Sequence, residues 1–194
     1  MVGGLLYLKI KTRDMILVAL FSALMAVGAY IKILFPLVPL SFQPFFCAFA
    51  GIILGSKLGA LSQIIYTIIG LIGIPVFTQG GGIGYVLKPS FGFILGFIAC
   101  AYVIGKVSET LKTISLKNSL ISVMSGLAVM NIIGVTYLYL IAKFYLGNSE
   151  MTLWDAISTG LLPFILKDII LYIVVAITAT AVLPILKKAG LAVR

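Results

Sequence analysis

A lysine and an aspartate that are adjacent inside an apolar stretch are the residues best suited to chemistry in this sequence. Lys167 and Asp168 lie in LLPFILKDIILYIVVAITATAVL, and Tyr172 follows one helical turn later. An ionisable side chain is costly in such a segment, so Asp168 indicates a ligand or ion site, with an ion pair to Lys167 or Lys88 as the alternative. On a helix, positions 167 and 168 project about 100° apart, which predicts that Lys167 points toward a neighbouring element or the membrane surface. Tyr172 is placed to stack on a flat ligand ring or to pack in the core.

A second group of candidates lies in FTQGGGIGYVLKPS, residues 77–90, between two apolar stretches. Glycine-rich loops often cradle phosphate, but the GxxxxGK[ST] pattern is absent and no strand precedes the glycines, so nucleotide binding is not supported. Glycines also let a backbone approach a ligand closely. Lys88 is suited to anchor a carboxylate, with a lysine that snorkels to the membrane surface as the alternative. The candidate binding residues of this loop are Gln79, Gly80, Gly81, Gly82, Gly84, Tyr85 and Lys88.

The other polar residues in apolar surroundings give weaker signals. Gln43 precedes an apolar stretch, and Asn131 lies within one, where an interhelical hydrogen bond worth about 0.6–2 kcal/mol is the alternative to ligand binding. Ala19 and Ala23 form a small-xxx-small pattern, which permits close helix approach.

Several function classes are excluded or disfavoured by residue usage. The sequence has 0 histidines, which excludes His-dependent triads and HExxH sites. Its 2 cysteines lack CxxC spacing, so neither a disulfide nor a zinc site is expected. Asp155 and Asp168 are imaginable as a catalytic carboxylate pair, but no nucleophile and base accompany them, so we do not expect an enzyme.

The composition predicts an all-α integral membrane protein with a single domain over residues 1–194. The chain is 62% hydrophobic and only 10% charged, far from the values of soluble domains. Charges, prolines and glycines divide it into 6 candidate transmembrane helices, at about 15–35, 43–55, 58–77, 90–107, 119–146 and 160–186. The turn at 54–59 is expected to join two antiparallel helices, and Pro163 suits the first turn of the last one.

Basic residues predict the orientation in the membrane. With the N-terminus in the cytoplasm and retained rather than cleaved, 10 of the 14 basic residues face that side, namely Lys9, Lys11, Arg13, Lys57, Lys106, Lys112, Lys117, Lys187, Lys188 and Arg194. Both termini are then cytoplasmic. The net charge of +9 is accounted for by these connections, so nucleic-acid binding is not expected.

The opposite, outer side holds the glycine-rich loop together with the other basic residues, Lys32, Lys88, Lys143 and Lys167. The second apolar segment is short and follows Phe35-Pro36. Residues 34–43 are therefore predicted to form an uncharged irregular loop that closes over a pocket as a lid.

The order of motifs between Leu54 and Phe97 resembles the BioY family, the biotin-specific substrate-binding (S) components of energy-coupling-factor (ECF) vitamin transporters. The residues that carry the resemblance are GSKLG at 55–59, GIPVF at 73–77, the glycines from 80 to 84 with Tyr85, PSFGF at 89–93, and Gly96-Phe97. The resemblance extends through Gly134 to the segment from Pro163 to Asp168.

The resemblance implies a six-helix ECF S-component fold that binds biotin near the outer face of a prokaryotic plasma membrane, with no cofactor. It also implies a transmembrane scaffold subunit, two ATP-binding-cassette subunits and membrane lipid as partners, with Ala19 and Ala23 matching the alanine motif that docks on the scaffold. An S component for a different small vitamin, and a structural membrane protein without transport activity, are the alternatives.

The chain departs from the family at one position of the last helix. Many members carry a lysine three residues after the aspartate, whereas Leu171 stands there in this chain and Lys167 precedes Asp168. The partner of the biotin carboxylate therefore stays open among Lys32, Lys88 and Lys167. Asp168 is expected to accept the ureido N–H groups. The other expected roles are hydrogen bonding to the ureido oxygen by Gln79 or Asn131 and support of the bicyclic ring by Tyr85 and Tyr172.

Overall fold

The computed structural model describes residues 11–34 and 37–189. The expectations for the N-terminal segment, Lys9, Phe35-Pro36 and Arg194 lie outside the described residues. In chain order the elements are α1 (Thr12–Tyr30), β1 (Lys32–Ile33), β2 (Leu40–Ser41), α2 (Gln43–Leu71), a 3₁₀ helix (Ile83–Leu87), α3 (Phe91–Leu111), α4 (Leu116–Leu140), a π-helical turn (Ile141–Tyr145), α5 (Leu153–Gly160) and α6 (Leu162–Lys188).

The fold is a helical bundle of a multi-pass membrane protein. Within the described residues, 5 helices are long and apolar enough to cross a membrane, namely α1, α2, α3, α4 with its π-helical turn, and α6. β1 and β2 form a short antiparallel ribbon in which Lys32 pairs with Ser41.

Helix α2 is broken at Gly55, whose φ of 81° and ψ of −177° are not helical. A Cβ atom on Gly59 would lie 3.0 Å from the carbonyl oxygen of Ala50. In a straight helix these two residues would be about 13 Å apart along the axis, so the arms 43–54 and 56–71 fold back on each other. Glycine permits this because a residue with a Cβ rarely adopts that φ. The predicted turn between the second and third segments is therefore observed.

Several predicted boundaries need correction. The third segment, predicted to 77, ends as a helix at Leu71, because Gly73 at φ 111° and Pro75 interrupt it. The last segment, predicted as one helix from 160, is instead the end of α5, a non-helical Leu161 (φ −120°) and then α6. Pro163 lies in the first turn of α6 as expected.

The largest core cluster is formed by α2, α3, α4 and α6, with Tyr66, Phe97, Cys100 and Tyr172 among its buried side chains. At one end of the bundle, the segment 37–43, the loop 72–90 and the start of α6 converge above this core. The cavity described next lies at that end. At the opposite end, Glu109 of α3 accepts hydrogen bonds from the backbone N–H of Ser56 at 2.7 Å and from its hydroxyl at 3.0 Å. That contact caps the N-terminus of the arm 56–71.

Candidate functional site

The candidate site is a cavity with about 480 Å³ of empty space, counted to its open mouth. Its wall is apolar over most of its area and carries a few polar groups. The lining residues are Val38, Pro39, Ser41, Gln43, Pro44, Thr78, Tyr85, Ser90, Phe93, Ile94, Phe97, Met130, Phe164, Lys167 and Asp168.

The charged part of the wall is the Lys167–Asp168 pair on the second turn of α6. Asp168 is only 3% exposed, and the Lys167 ammonium lies 2.8 Å from its Oδ1. This contact is a close ion pair, and Oδ1 is the carboxylate oxygen that it occupies. Lys167 Nζ also donates to the carbonyl oxygen of Ser41 at 2.7 Å. No hydrogen bond to the other carboxylate oxygen, Oδ2, is recorded among the described residues, so the aspartate keeps an acceptor at the cavity.

Lys167 contacts a neighbouring element as expected, at Ser41, and the ion pair given as the alternative for Asp168 is present; only the expected separation of the two charged groups is wrong. Their Cα–Cβ bonds do diverge on the helix, but the flexible four-carbon stem of lysine brings its ammonium back to the carboxylate. Both residues therefore line the same cavity and present a hydrogen-bond donor and an acceptor side by side.

Gln43 enters the wall from the first turn of α2, and neighbours hold both ends of its amide. Ser41 donates its hydroxyl to Gln43 Oε1 at 3.1 Å, and Gln43 Nε2 donates to the Tyr66 hydroxyl at 2.7 Å. Tyr66 in turn donates to the carbonyl oxygen of Val76 at 3.0 Å. This chain of hydrogen bonds ties the segment before α2 to the loop after it and fixes the orientation of the amide.

Tyr85 is buried and lines the cavity from the 3₁₀ helix. Its hydroxyl shares a hydrogen bond of 3.0 Å with Thr78 and accepts one from Ser90 at 3.3 Å. Its ring packs on Phe77 with centroids 4.6 Å apart, and Lys88 Nζ lies 4.8 Å from the ring centroid. The ring is therefore fixed in position before any ligand arrives.

The other loop candidates lie away from the cavity wall. Lys88 donates to the carbonyl oxygen of Gln79 at 3.2 Å, and the side chain of Gln79 is exposed. Gly80 and Gly82 adopt φ values of 106° and 99°, and Gly84 has open space where a Cβ would stand. Gly81 lies against the end of α2, since a Cβ there would be 2.3 Å from the carbonyl oxygen of Ile74. None of the four glycines, Gln79 or Lys88 lines the cavity.

Two predicted ligand contacts on helices are also absent from the wall. Tyr172 is fully buried below it, where its hydroxyl lies 3.2 Å from Cys100 Sγ and 4.0 Å from Met130 Sδ. Asn131 donates to the carbonyl oxygen of Leu127 at 2.9 Å and faces a different groove, between α4, α5 and α6. Tyr172 matches the packing alternative, whereas the hydrogen bond of Asn131 stays within α4 and is not the interhelical bond given as its alternative.

Three further predicted positions lie on the surface. Lys32 donates to the carbonyl oxygen of Thr78, beside the cavity but outside its wall. Ala19 and Ala23 are both exposed on one side of α1, so this pair does not pack inside the chain.

Val38, Pro39 and Ser41 of the cavity wall belong to the segment predicted as a lid. The cavity also contains residues that the sequence did not single out as ligand contacts, namely Pro44, Thr78, Ser90, Phe93, Ile94, Phe97, Met130 and Phe164. Thr78 and Ser90 lie near the two ends of the glycine-rich loop, so their place on either side of Tyr85 was a usable signal. The aromatic residues follow loops or prolines at helix starts, but nothing in an apolar run distinguishes a cavity-lining phenylalanine from one that faces lipid.

The arrangement suits binding better than bond breaking. A carboxylate with a free acceptor and an adjacent ammonium can bind a group that offers an N–H and a C=O on one edge. Apolar walls exclude water and strengthen such charge-assisted bonds. Among the described residues, no group of 3 or more His, Cys, Asp and Glu side chains comes together to hold a metal ion.

Comparisons with known proteins give the family of the chain. The model of the BioY family matches residues 6–188. The chain is 38% identical over 179 residues to a probable biotin transporter BioY of Lysinibacillus sphaericus, covering 92% of this chain and 91% of that protein. It is 36% identical over 168 residues to the biotin transporter BioY of Thermotoga maritima, with 86% and 94% covered.

A solved structure is similar over almost the same length. It is the crystal structure of the S-component for biotin from an ECF-type ABC transporter. The TM-score is 0.69 at 25% identity, with 91% of this chain and 94% of that chain covered.

Proposed function

We propose a function from one premise: this chain belongs to the BioY family. It is a biotin-binding S component, a transport protein of the membrane and not an enzyme. The finer assignments, namely how biotin is held, how the helices cross the membrane and which subunits dock, are proposals that follow.

The observation that carries the proposal is the unused acceptor of Asp168 beside the Lys167 ammonium in an apolar cavity. The ureido ring of biotin is neutral and presents N–H and C=O groups side by side. We propose that Asp168 accepts an N–H and that Lys167 donates to the ureido oxygen. Each of these hydrogen bonds has one charged partner, so each is stronger than a bond between neutral groups.

The rest of the ligand is assigned by its chemistry. The apolar bicycle rests among Tyr85, Phe93, Phe97 and Phe164, which supply aromatic surface next to the polar pair. The valerate chain then runs toward the mouth, where its carboxylate meets Lys88 or Lys32. These two lysines now bond only to backbone carbonyl oxygens among the hydrogen bonds that the structure records for the described residues.

We propose that the segment 37–41 acts as the lid over bound biotin. Val38, Pro39 and Ser41 line the cavity, and Lys167 holds Ser41 through its carbonyl oxygen. A ligand whose ureido oxygen draws Lys167 toward it changes the contact between Lys167 and the Ser41 carbonyl oxygen. The position of the lid and the occupancy of the cavity are therefore coupled.

The proposed topology has six crossings with both termini in the cytoplasm. The break at Gly55 supports it, because each arm of α2 then counts as one crossing. The arm 43–54 is only about 18 Å long and needs the segment before it to reach the surface. The cavity then opens outward, at the end that carries Lys32, Lys88 and Lys167.

We propose that α1 docks on the transmembrane scaffold of an ECF module that also contains two ATP-binding-cassette subunits. Support comes from the exposed small residues Ala19 and Ala23, since a small-xxx-small face lets another helix approach closely. The module provides the energy in this proposal, in a prokaryotic plasma membrane.

A melting-temperature panel tests the ligand assignment. The purified protein, freed of bound ligand, is heated with biotin, thiamine or riboflavin. At 100 times its dissociation constant, biotin is expected to raise the melting temperature by about 5–10 °C, and the others to leave it unchanged. A shift with another vitamin and none with biotin would assign the chain to that vitamin.

A further inference from the structure

Helix α5 is too short to cross a membrane and lies where two spans meet. Its 8 residues cover about 12 Å, against about 30 Å of hydrocarbon. It follows the π-helical turn that ends α4 and is separated from α6 by Leu161 alone. Ala156 and Gly160 pack it on the bundle, since a Cβ on Gly160 would lie 3.1 Å from Leu138. This helix therefore sits at one membrane face, at the end of the bundle that holds the cavity.

The outward side of this region is apolar and aromatic. Phe144 is 74% exposed and Trp154 66%, which is far more than expected for such side chains in contact with water. The other large exposed side chains of this surface are Tyr145, Leu146, Leu153 and Leu162. Aromatic side chains with a polar atom, such as Trp and Tyr, are enriched where a protein crosses the boundary between lipid and water.

The polar groups of α5 are satisfied inside the helix itself. Thr152 and Asp155 form a reciprocal capping box, with the Thr152 N–H donating to Asp155 Oδ2 at 2.8 Å. The hydroxyls of Ser158 and Thr159 both donate to the carbonyl oxygen of Asp155. The Asp155 carboxylate is exposed, so α5 has one side that reaches water and one apolar side that can reach lipid, as an interfacial helix has.

The surface around α5 continues directly into the faces of the two spans that it joins. A groove of about 1060 Å³ runs below it between α4 and α6, lined by Ile132, Val135, Ile157, Ile165 and other apolar residues. Leu166 of α6 is also exposed and extends this apolar surface along the membrane span. Lys143 donates to the Tyr139 hydroxyl at 2.8 Å. Lysine side chains near the end of a membrane span reach toward the membrane surface in this way.

We propose that α5 is an interfacial helix that binds the bilayer surface itself, with Trp154 in the headgroup layer and phospholipid acyl chains in the groove below. The occupant is lipid and not a protein subunit, because the apolar surface is continuous with two membrane spans. This anchor is independent of biotin and fixes the depth of the cavity end in the membrane.

Trp154 is the only tryptophan of the chain, so its fluorescence reports on α5 alone. The full-length protein is reconstituted in vesicles of phosphatidylcholine and phosphatidylglycerol whose acyl chains are brominated either near the headgroup or near the terminal methyl. We expect quenching about twofold stronger from the shallow bromines, and weak quenching by aqueous iodide. A double variant, Trp154→Phe with Val174→Trp, places the fluorophore midway along α6 and should show the opposite order of bromine depths.

Two results would overturn the proposal. Strong iodide quenching of Trp154 with little effect of either brominated lipid would mean that α5 stands in water, as a surface for a protein partner does. Stronger quenching from the deep bromines would mean that α5 is buried in the hydrocarbon. Leu153→Asp should also weaken the quenching of Trp154 by the bromines near the headgroup. Added to the double variant, the same substitution should leave the quenching of the tryptophan on α6 unchanged.

Discussion

Replacing Asp168 with asparagine tests the proposed biotin contact, because it only replaces one carboxylate oxygen with an amide nitrogen. The carboxylate lines the cavity, and its Oδ1 contacts the Lys167 ammonium, which leaves Oδ2 for a ligand N–H. Asparagine retains one carbonyl oxygen but loses the charge and turns the other oxygen into a donor that faces the ligand N–H.

The expected loss follows from the energy of a hydrogen bond to a charged group. Such bonds contribute about 1.5–3 kcal/mol, which corresponds to a dissociation constant raised about tenfold to about 150-fold. The Asp168 side chain is only 4% exposed, so the loss of this ion pair should also lower the melting temperature of the unliganded protein. Lys167 keeps its bond to the Ser41 carbonyl oxygen and is 22% exposed, which limits that loss.

The assay is isothermal titration of biotin into purified protein from which bound biotin has been removed. Asp155→Asn is the matched control, because it makes the same chemical change on α5, away from the cavity, and should leave the dissociation constant unchanged. If Asp168→Asn remains folded and binds biotin within about twofold of the wild type, the carboxylate does not contact biotin and the assignment fails.

Three further predictions concern the lysines and the two helix caps. Lys167→Met should weaken the binding of biotin and of its carboxamide equally. Lys88→Met or Lys32→Met should weaken the binding of biotin alone if that lysine contacts the valerate carboxylate. Equal dissociation constants for the wild type and all three variants would show that none of these lysines contacts the ligand. Glu109→Gln removes the charged cap from the N–H of Ser56 and should lower the melting temperature by about 2–4 °C, from about 1 kcal/mol, without changing biotin affinity; an unchanged melting temperature would show that the cap is not needed. The pKa of Asp155 is lowered, first by the hydroxyl of Thr152 and then by its backbone N–H, because both donate to the carboxylate. The cap therefore stabilises α5 at pH values above the ordinary pKa of about 3.9. This contribution is lost as the pH falls through the lowered pKa. Trp154 emission should therefore change on acidification in the wild type and not in Asp155→Asn, and the same acid response in both would rule out this cap as its cause.

Hydropathy alone predicted much of the bundle and one side of the cavity. A charge in an apolar run is rare and costly, so Asp168 stood out, and the structure brings it to the cavity together with Lys167, Gln43 and Tyr85. The break near Gly55 was readable because two glycines flank the turn. Helix α5 was missed, since most of it lies between the predicted segments 119–146 and 160–186 and its 8 residues are too few for a transmembrane helix.

The remaining differences come from side-chain reach and loop packing. Helical spacing fixes where a Cβ points but not where a lysine ammonium ends, so position left the ion pair of Lys167 with Asp168 as one alternative among several. The loop glycines were expected near a ligand, but Gly81 packs on the end of α2 instead. Thr78 and Ser90 carry small hydroxyls that are common in loops, and only the fold shows that both reach Tyr85.

Equilibrium binding of biotin to the purified full-length chain tests the central claim most directly. Protein freed of endogenous ligand is dialysed against labelled biotin over a range of concentrations, with excess unlabelled biotin as the competitor. The proposed function predicts saturable, competable binding to one site per chain with a micromolar or tighter dissociation constant. The absence of saturable binding at micromolar biotin, in protein that remains folded by its melting profile, would contradict it.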